Sequence, residues 1–220
     1  MLTSHHEPQP LKNPGPPTPD DLRPTAFIDS DSDTVRGLVE RVTAGAEDEH
    51  EVAARLFAAV RDGVRYDPYR MPTDPAEYRA SAVLDAGSGY CIQKAVALTA
   101  AARAAGIPSR LGFANVTNHL QSERLREAMG TDLFIWHGYS TFFVGGIWTK
   151  ASCAFNAELC ARFGVLPLDF DGTHDALLHA FTQDGTRYME YVQERGIYVD
   201  LPFETVIAAF REGYPGVDSA

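Results

Sequence analysis

An α+β domain is the fold class this sequence predicts, and three observations carry it. Residues 91–105 are alanine-rich with no proline and no glycine, the composition of a strong helix. Residues 133–153 are rich in β-formers and turn back at Gly145-Gly146, the pattern of a hairpin. Apolar residues at helical spacing flank this middle region on both sides. Helix, strand, then hairpin, with N-terminal helices ahead, implies a Cys-bearing helix packed on a small antiparallel sheet.

The elements follow in chain order. Residues 1–24 hold seven of the fourteen prolines, in runs such as Pro14-Gly-Pro-Pro-Thr-Pro19. Proline breaks both helices and sheet ladders, so 1–25 are expected to be a flexible arm and 26–220 a single domain. Ser30 to Asp33 offer N-cap oxygens ahead of Val35, Leu38, Val39 and Val42. A second helix follows the acidic stretch 47–51, with Val52, Leu56, Phe57 and Val60 inward and Gly63 as its stop. Residues 64–68 read as extended, because Pro68 disfavours helix at Asp67. Residues 80–86 form a short helix, and Gly87-Ser-Gly89 breaks the chain before Cys91. Gly106-Ile-Pro108 ends the alanine-rich helix, and residues 109–116 form a strand. A helix is expected within 119–130, another at 156–163, and a helical piece at 186–195. A last helix after Pro202 carries Val206, Ile207 and Phe210.

The chain has 220 residues, 45% of them hydrophobic, enough for a substantial core. The net charge of −11 argues against nucleic acid and anionic membranes, since phosphate binding needs a basic face. No apolar run approaches the roughly 20 residues of a membrane span, and the N-terminal residues lack the apolar core of a signal peptide. Three cysteines, Cys91, Cys153 and Cys160, are too few and too odd in number for a disulfide framework. A reducing, cytoplasmic setting is therefore expected.

Cys91 opens the alanine-rich helix directly after the glycine break. Free N–H groups and the positive end of the helix dipole favour thiolate there, and the same groups can hold an oxyanion. Cys91, Ala95, Leu98, Thr99 and Ala102 share one face, expected to look toward the sheet, with the Thr99 hydroxyl bonded back to the Ala95 carbonyl. A base must come from elsewhere in the fold. His137 is the histidine on a strand of that sheet. His5 and His6 lie in the arm, His50 at a charged helix start, and His119, His174 and His179 in loops or at helix edges.

These residues resemble the core of the bacterial transglutaminase-like proteins. The resemblance rests on Gly89-Tyr-Cys-Ile-Gln-Lys-Ala-Val-Ala-Leu98 with Ala104-Ala-Gly-Ile-Pro-Ser-Arg110, on Trp136-His-Gly-Tyr139 with Gly145-Gly-Ile-Trp148, and on Val60-Arg-Asp-Gly-Val-Arg-Tyr66. It spans roughly residues 50–160 and implies a papain-like fold in which Cys, His and usually Asp line one cleft. The family's Asp falls on the strand after the hairpin, where this chain has Ser152, a residue that accepts a hydrogen bond but brings no charge. Asn156, Asn115, Asp169 and Asp171 are other candidate orienters. By resemblance to cyclases of this kind that draw their acid from the preceding strand, Asn118 is preferred as the third member.

The implied function is a cysteine-dependent acyltransferase or hydrolase acting on a peptide, amide or thioester carbonyl through an acyl-enzyme. The alternatives are a Dieckmann-type cyclase that releases a thioester-bound chain, and a catalytically silent binding module. No cofactor is expected. The series Cys153, Cys160, His174, His179 spaces its cysteines too widely for a zinc knuckle, and Asp169-Phe-Asp171-Gly lacks the ligands of a calcium loop.

Overall fold

The computed structural model describes residues 7–11, 15–119, 121–178, 182–186 and 188–214. Helices α1 (Asp33–Thr43) and α2 (Glu49–Gly63) start where the Ser32 and Asp48 side chains accept the N–H groups of Val35 and Glu51. The short strands β1 (Arg65–Tyr66) and β2 (Ser88–Gly89) pair in parallel. Helix α3 (Ala80–Ala86) lies between them and ends at Gly87, whose φ of 61° is the left-handed value glycine supplies there. Then come α4 (Cys91–Ala104), β3 (Ser109–Asn118), α5 (Glu123–Met129), β4 (Leu133–Val144), β5 (Ile147–Ala151), α6 (Ala157–Arg162), β6 (Met189–Tyr198) and α7 (Phe203–Gly213). Four strands make an antiparallel sheet in the order β5-β4-β3-β6.

The expected fold class therefore stands, with α4 against β4 and β3. Its packing differs from a one-faced helix, because every residue from Cys91 to Arg103 is buried. Helices α1, α2 and α3 pack on α4 where the sheet does not cover it. An alanine-rich helix suits this position, since small side chains let neighbours approach on all sides. Thr99 does not bond back to Ala95. Its hydroxyl donates to Ser140 Oγ at 3.0 Å, and that hydroxyl in turn donates to the Ala95 carbonyl at 3.0 Å.

Lys94 brings a cation into this interior. Its Nζ donates to the carbonyls of Arg61 (2.8 Å) and Val64, so it caps the end of α2 from within. Burial draws its pKa down to about 8.

Two expectations need correction. Residues 189–198 are not helical but form β6, hydrogen-bonded to β3 along its length. Tyr191, Val192, Ile197 and Tyr198 are strand formers, and pairing to an open sheet edge outweighs the scattered charges that suggested a helix. The proline-rich segment, as far as it is described, lies against the domain. Asp21 is fully buried in a two-pronged ion pair with Arg110, with both contacts at 2.7 Å. The Trp148 indole N–H donates to the Gly15 carbonyl at 2.8 Å, and the Leu11 N–H to the Ile197 carbonyl at 2.8 Å. Proline prevents a helix here but leaves the segment's remaining backbone groups free to pair, with Trp148 of the sheet donating to one carbonyl and the Ile197 carbonyl accepting one N–H. Among the described residues no helix is long and apolar enough to cross a membrane.

Candidate active site

The β1–β2 ladder aims the chain into α4. The Arg65 N–H donates to the Gly87 carbonyl at 2.9 Å and the Asp67 N–H to the Gly89 carbonyl at 3.0 Å. A Cβ on Gly89 would lie 3.0 Å from Gln93 Cβ, so glycine lets the backbone pass beneath that side chain. Gln93 then accepts the Tyr90 N–H at 3.2 Å and donates to the Glu77 carbonyl at 2.9 Å. Cys91 is thus held as the first residue of α4, as expected from the sequence.

The strand bearing His137 meets this helix start through Gly138. A Cβ there would come within 2.9 Å of Ile92 Cα and 3.4 Å of the Cys91 carbonyl oxygen. Only a glycine permits the approach. Two residues before this glycine, Trp136 has φ = 56°, the left-handed region that a bulky side chain avoids. The cause is a bulge. Ala114 pairs with His137 and Val116 with Phe134, so Ile135 and Trp136 stand against the single residue Asn115. Asn115 Oδ1 accepts the Trp136 N–H at 3.2 Å and Arg195 Nε at 3.0 Å. The Trp136 ring packs near Phe113 and Tyr198, at 5.4 and 6.1 Å between centroids.

On the ring itself, Nε2 lies 3.3 Å from Ser152 Oγ, while Nδ1 is buried with no hydrogen-bond partner. The register sets Thr117 opposite Leu133, which leaves Asn118 four residues along β3 from Ala114, the partner of His137. That is about 13 Å at the rise of a strand. The ring's hydrogen-bond partner is therefore Ser152, and Asn118 stands instead on a cleft described below. The other candidates are engaged elsewhere. Asn156 Oδ1 accepts the Tyr66 N–H at 3.4 Å, and Asp171 accepts Thr173 in an exposed turn that also holds His174. Asp169 is exposed. His50 sits between the turns at Gly145 and Gly172, and His119 is 3.4 Å from Glu190. His5, His6 and His179 lie outside the described residues. Cys153 is buried with its sulfur 3.5 Å from the Lys94 carbonyl, Cys160 is buried on α6, and none of the three cysteines forms a disulfide.

Electrostatics at the site depart from the sequence expectation. The helix start was expected to favour thiolate at Cys91. Burial outweighs it and pushes the thiol up to about 11, against the downward pull of the Gly138, Ile92 and Cys91 N–H groups. Burial likewise draws His137 down to about 4. Thiol and imidazole are therefore both neutral at rest around pH 7.

Cys91 lies in a small apolar chamber whose walls include Tyr66, Pro68, Met71, Tyr90, Phe134 and Tyr214. Through Tyr66, Pro68 and Phe134 this chamber adjoins a cleft of about 210 Å³, which Asn118, Gln121, Phe155, Leu159 and Tyr188 also line. Neither this cleft nor the clamp made by Asn115 was legible in the sequence. The Trp-His-Gly sequence was the available clue to the close approach at Gly138, since a glycine beside a candidate base invites the question of what it touches.

No curated protein matches the sequence significantly. Among solved structures, a candidate cysteine protease from Cytophaga hutchinsonii is 17% identical over 60% of this chain and 40% of its own, with a TM-score of 0.47. A candidate protease from Parabacteroides distasonis is 21% identical over 54% of this chain and 22% of its own, with a TM-score of 0.39. The chain thus spans less than half the length of either. Residues 36–153, more than half the chain, match the sequence profile of the transglutaminase-like superfamily, and the protein belongs to that superfamily.

Proposed function

We propose that this protein is a cysteine-dependent acyltransferase or hydrolase in which Cys91 attacks an amide or thioester carbonyl. One observation carries the reading. Gly138 fixes the His137 strand against the first turn of α4, and the His137 ring there keeps a buried Nδ1 unsatisfied while Nε2 reaches Ser152. With Nε2–H donating to Ser152, the lone pair sits on Nδ1, and that nitrogen is the base in this reading.

In the first step the Cys91 S–H bond breaks, the proton goes to His137 Nδ1, and sulfur bonds to the carbonyl carbon. The displaced electron pair collects on the carbonyl oxygen, where N–H groups at the start of α4 can hold it. Collapse expels the amine or thiol, which takes the proton from His137. Water, an amine or a carbon nucleophile then resolves the acyl-enzyme. The neutral resting pair means that charge separates only as the proton moves. The acidic charge balance and the absence of disulfides are in keeping with a small or peptidic substrate and a reducing, cytoplasmic setting.

Incubation with p-nitrophenyl acetate followed by peptide mass mapping tests the assignment. The acetyl group is expected on Cys91, absent from Cys91→Ala, and formed about 100-fold or more slowly in His137→Ala. Acetylation of Cys153 or Cys160 instead, or an unimpaired His137→Ala, would overturn it.

A further inference from the structure

We infer that the cleft beside Cys91 is an acyl-group subsite that selects donors carrying one bulky apolar group, an aromatic ring above all, next to the reacting carbonyl. The inference rests on the proposed role of Cys91. The chamber around that residue is walled closely by side chains, and Tyr66, Pro68 and Phe134 are common to it and to the cleft. A carbonyl carbon at the sulfur therefore directs its substituent past those three residues and into the cleft.

The cleft fits such a group in size and in chemistry. Its volume of about 210 Å³ falls below the ~300–1,000 Å³ of pockets that take drug-sized ligands, so it suits a single side-chain-sized group. Phe155 and Tyr188 stack at 5.9 Å with 13° between their planes, and Tyr66 meets Phe155 edge-on at 5.0 Å. Offset-stacked and edge-to-face surfaces are those against which another ring packs well. The two cations on the rim do not favour an anionic group. Arg65 is 3.3 Å from Asp67, and Arg162 is 2.6 Å from Glu158.

Leu159, half-buried on α6, lines the cleft and provides the test. The rates of Cys91 acylation by p-nitrophenyl phenylacetate and p-nitrophenyl acetate are compared, with thiol attack releasing p-nitrophenolate in both. The parent is expected to favour phenylacetyl about tenfold or more, the scale set by apolar pocket contacts. Leu159→Trp fills the cleft and should abolish that preference. Leu159→Ala widens it and should move the preference toward the two-ring naphthylacetyl ester, so the proposal remains testable if the Trp variant does not fold. Acylation of Cys91 with no preference in the parent, or a ratio that neither variant changes, overturns the subsite and leaves the nucleophile standing. Failure of both esters to acylate Cys91 removes the nucleophile, and the subsite with it.

Discussion

At the His137 ring a hydroxyl occupies the place where the family usually sets a carboxylate. Ser152 can fix the tautomer through Nε2, but it cannot lend charge to an imidazolium that burial already disfavours. Ser152→Asp is therefore expected to raise the His137 pKa from about 4 and to speed acylation by p-nitrophenyl acetate, with the acid limb of the pH–rate profile moving upward. An unmoved limb would mean that Ser152 does not govern the ring. Burial of the ring also leaves a mark on stability. The unfolded chain binds this proton near pH 6.5 and the folded one near 4, so stability present above pH 6.5 is lost as pH falls toward 4. The loss from this group is about 3 kcal/mol, and urea unfolding across that range should show a shallower decline once the ring is replaced by Phe. Cys91 and His137 were legible in the sequence because a thiol at a helix start and a histidine on a strand are chemically distinctive in themselves. Choosing Ser152 over Asn118 needed the strand register, and no property of either side chain reveals that.

Between β3 and β4 the backbone itself is shaped for the site. The bulge places Trp136 at φ = 56°, and Asn115 holds it there by accepting the Trp136 N–H. A left-handed non-glycine residue costs on the order of 1–3 kcal/mol and persists only when its surroundings over-determine it. Asn115→Ala removes that acceptor and also strands Arg195 Nε. Its expected effect is a fall of about tenfold or more in kcat for ester turnover with KM changed far less, since the ring is displaced but the cleft is not. Asn115→Asp keeps the acceptor oxygen and should restore most of the rate. Equal losses in both variants would assign Asn115 to stability alone. Helix boundaries were well marked in the sequence because caps and stops are local: Ser32, Asp48 and Gly87 each act within a turn. The bulge was not, because it depends on which residues of β3 oppose β4. β6 was misread for a related reason. It is an edge strand, with Glu190, Gln193 and Glu194 exposed, so it lacks the alternation of a half-buried strand.

Across the whole molecule, the proline-rich segment is tied down by the Asp21–Arg110 pair, whose side chains are 0% and 3% exposed. The Arg110 guanidinium also lies 4.1 Å from the Trp148 ring, so its charge is enclosed on two sides. Asp21→Ala leaves a buried cation unmatched and is expected to cost about 3–5 kcal/mol in urea unfolding, with Asp21→Ala/Arg110→Met recovering much of it. A loss below about 1 kcal/mol would show that water reaches Arg110 when the segment lifts. Composition predicted a loose arm because proline content reports what a segment cannot build alone, not what it can lie against. The pairing also sets an order of events during translation. Asp21 emerges from the ribosome 89 residues ahead of Arg110. The neighbouring strand β6 ends only at Tyr198. At about 5–20 residues per second, the first-made part of the fold waits roughly 10–35 s for the complete sheet on which it docks. During that interval its carboxylate stays hydrated, and the segment is exposed to any protease that reaches the nascent chain.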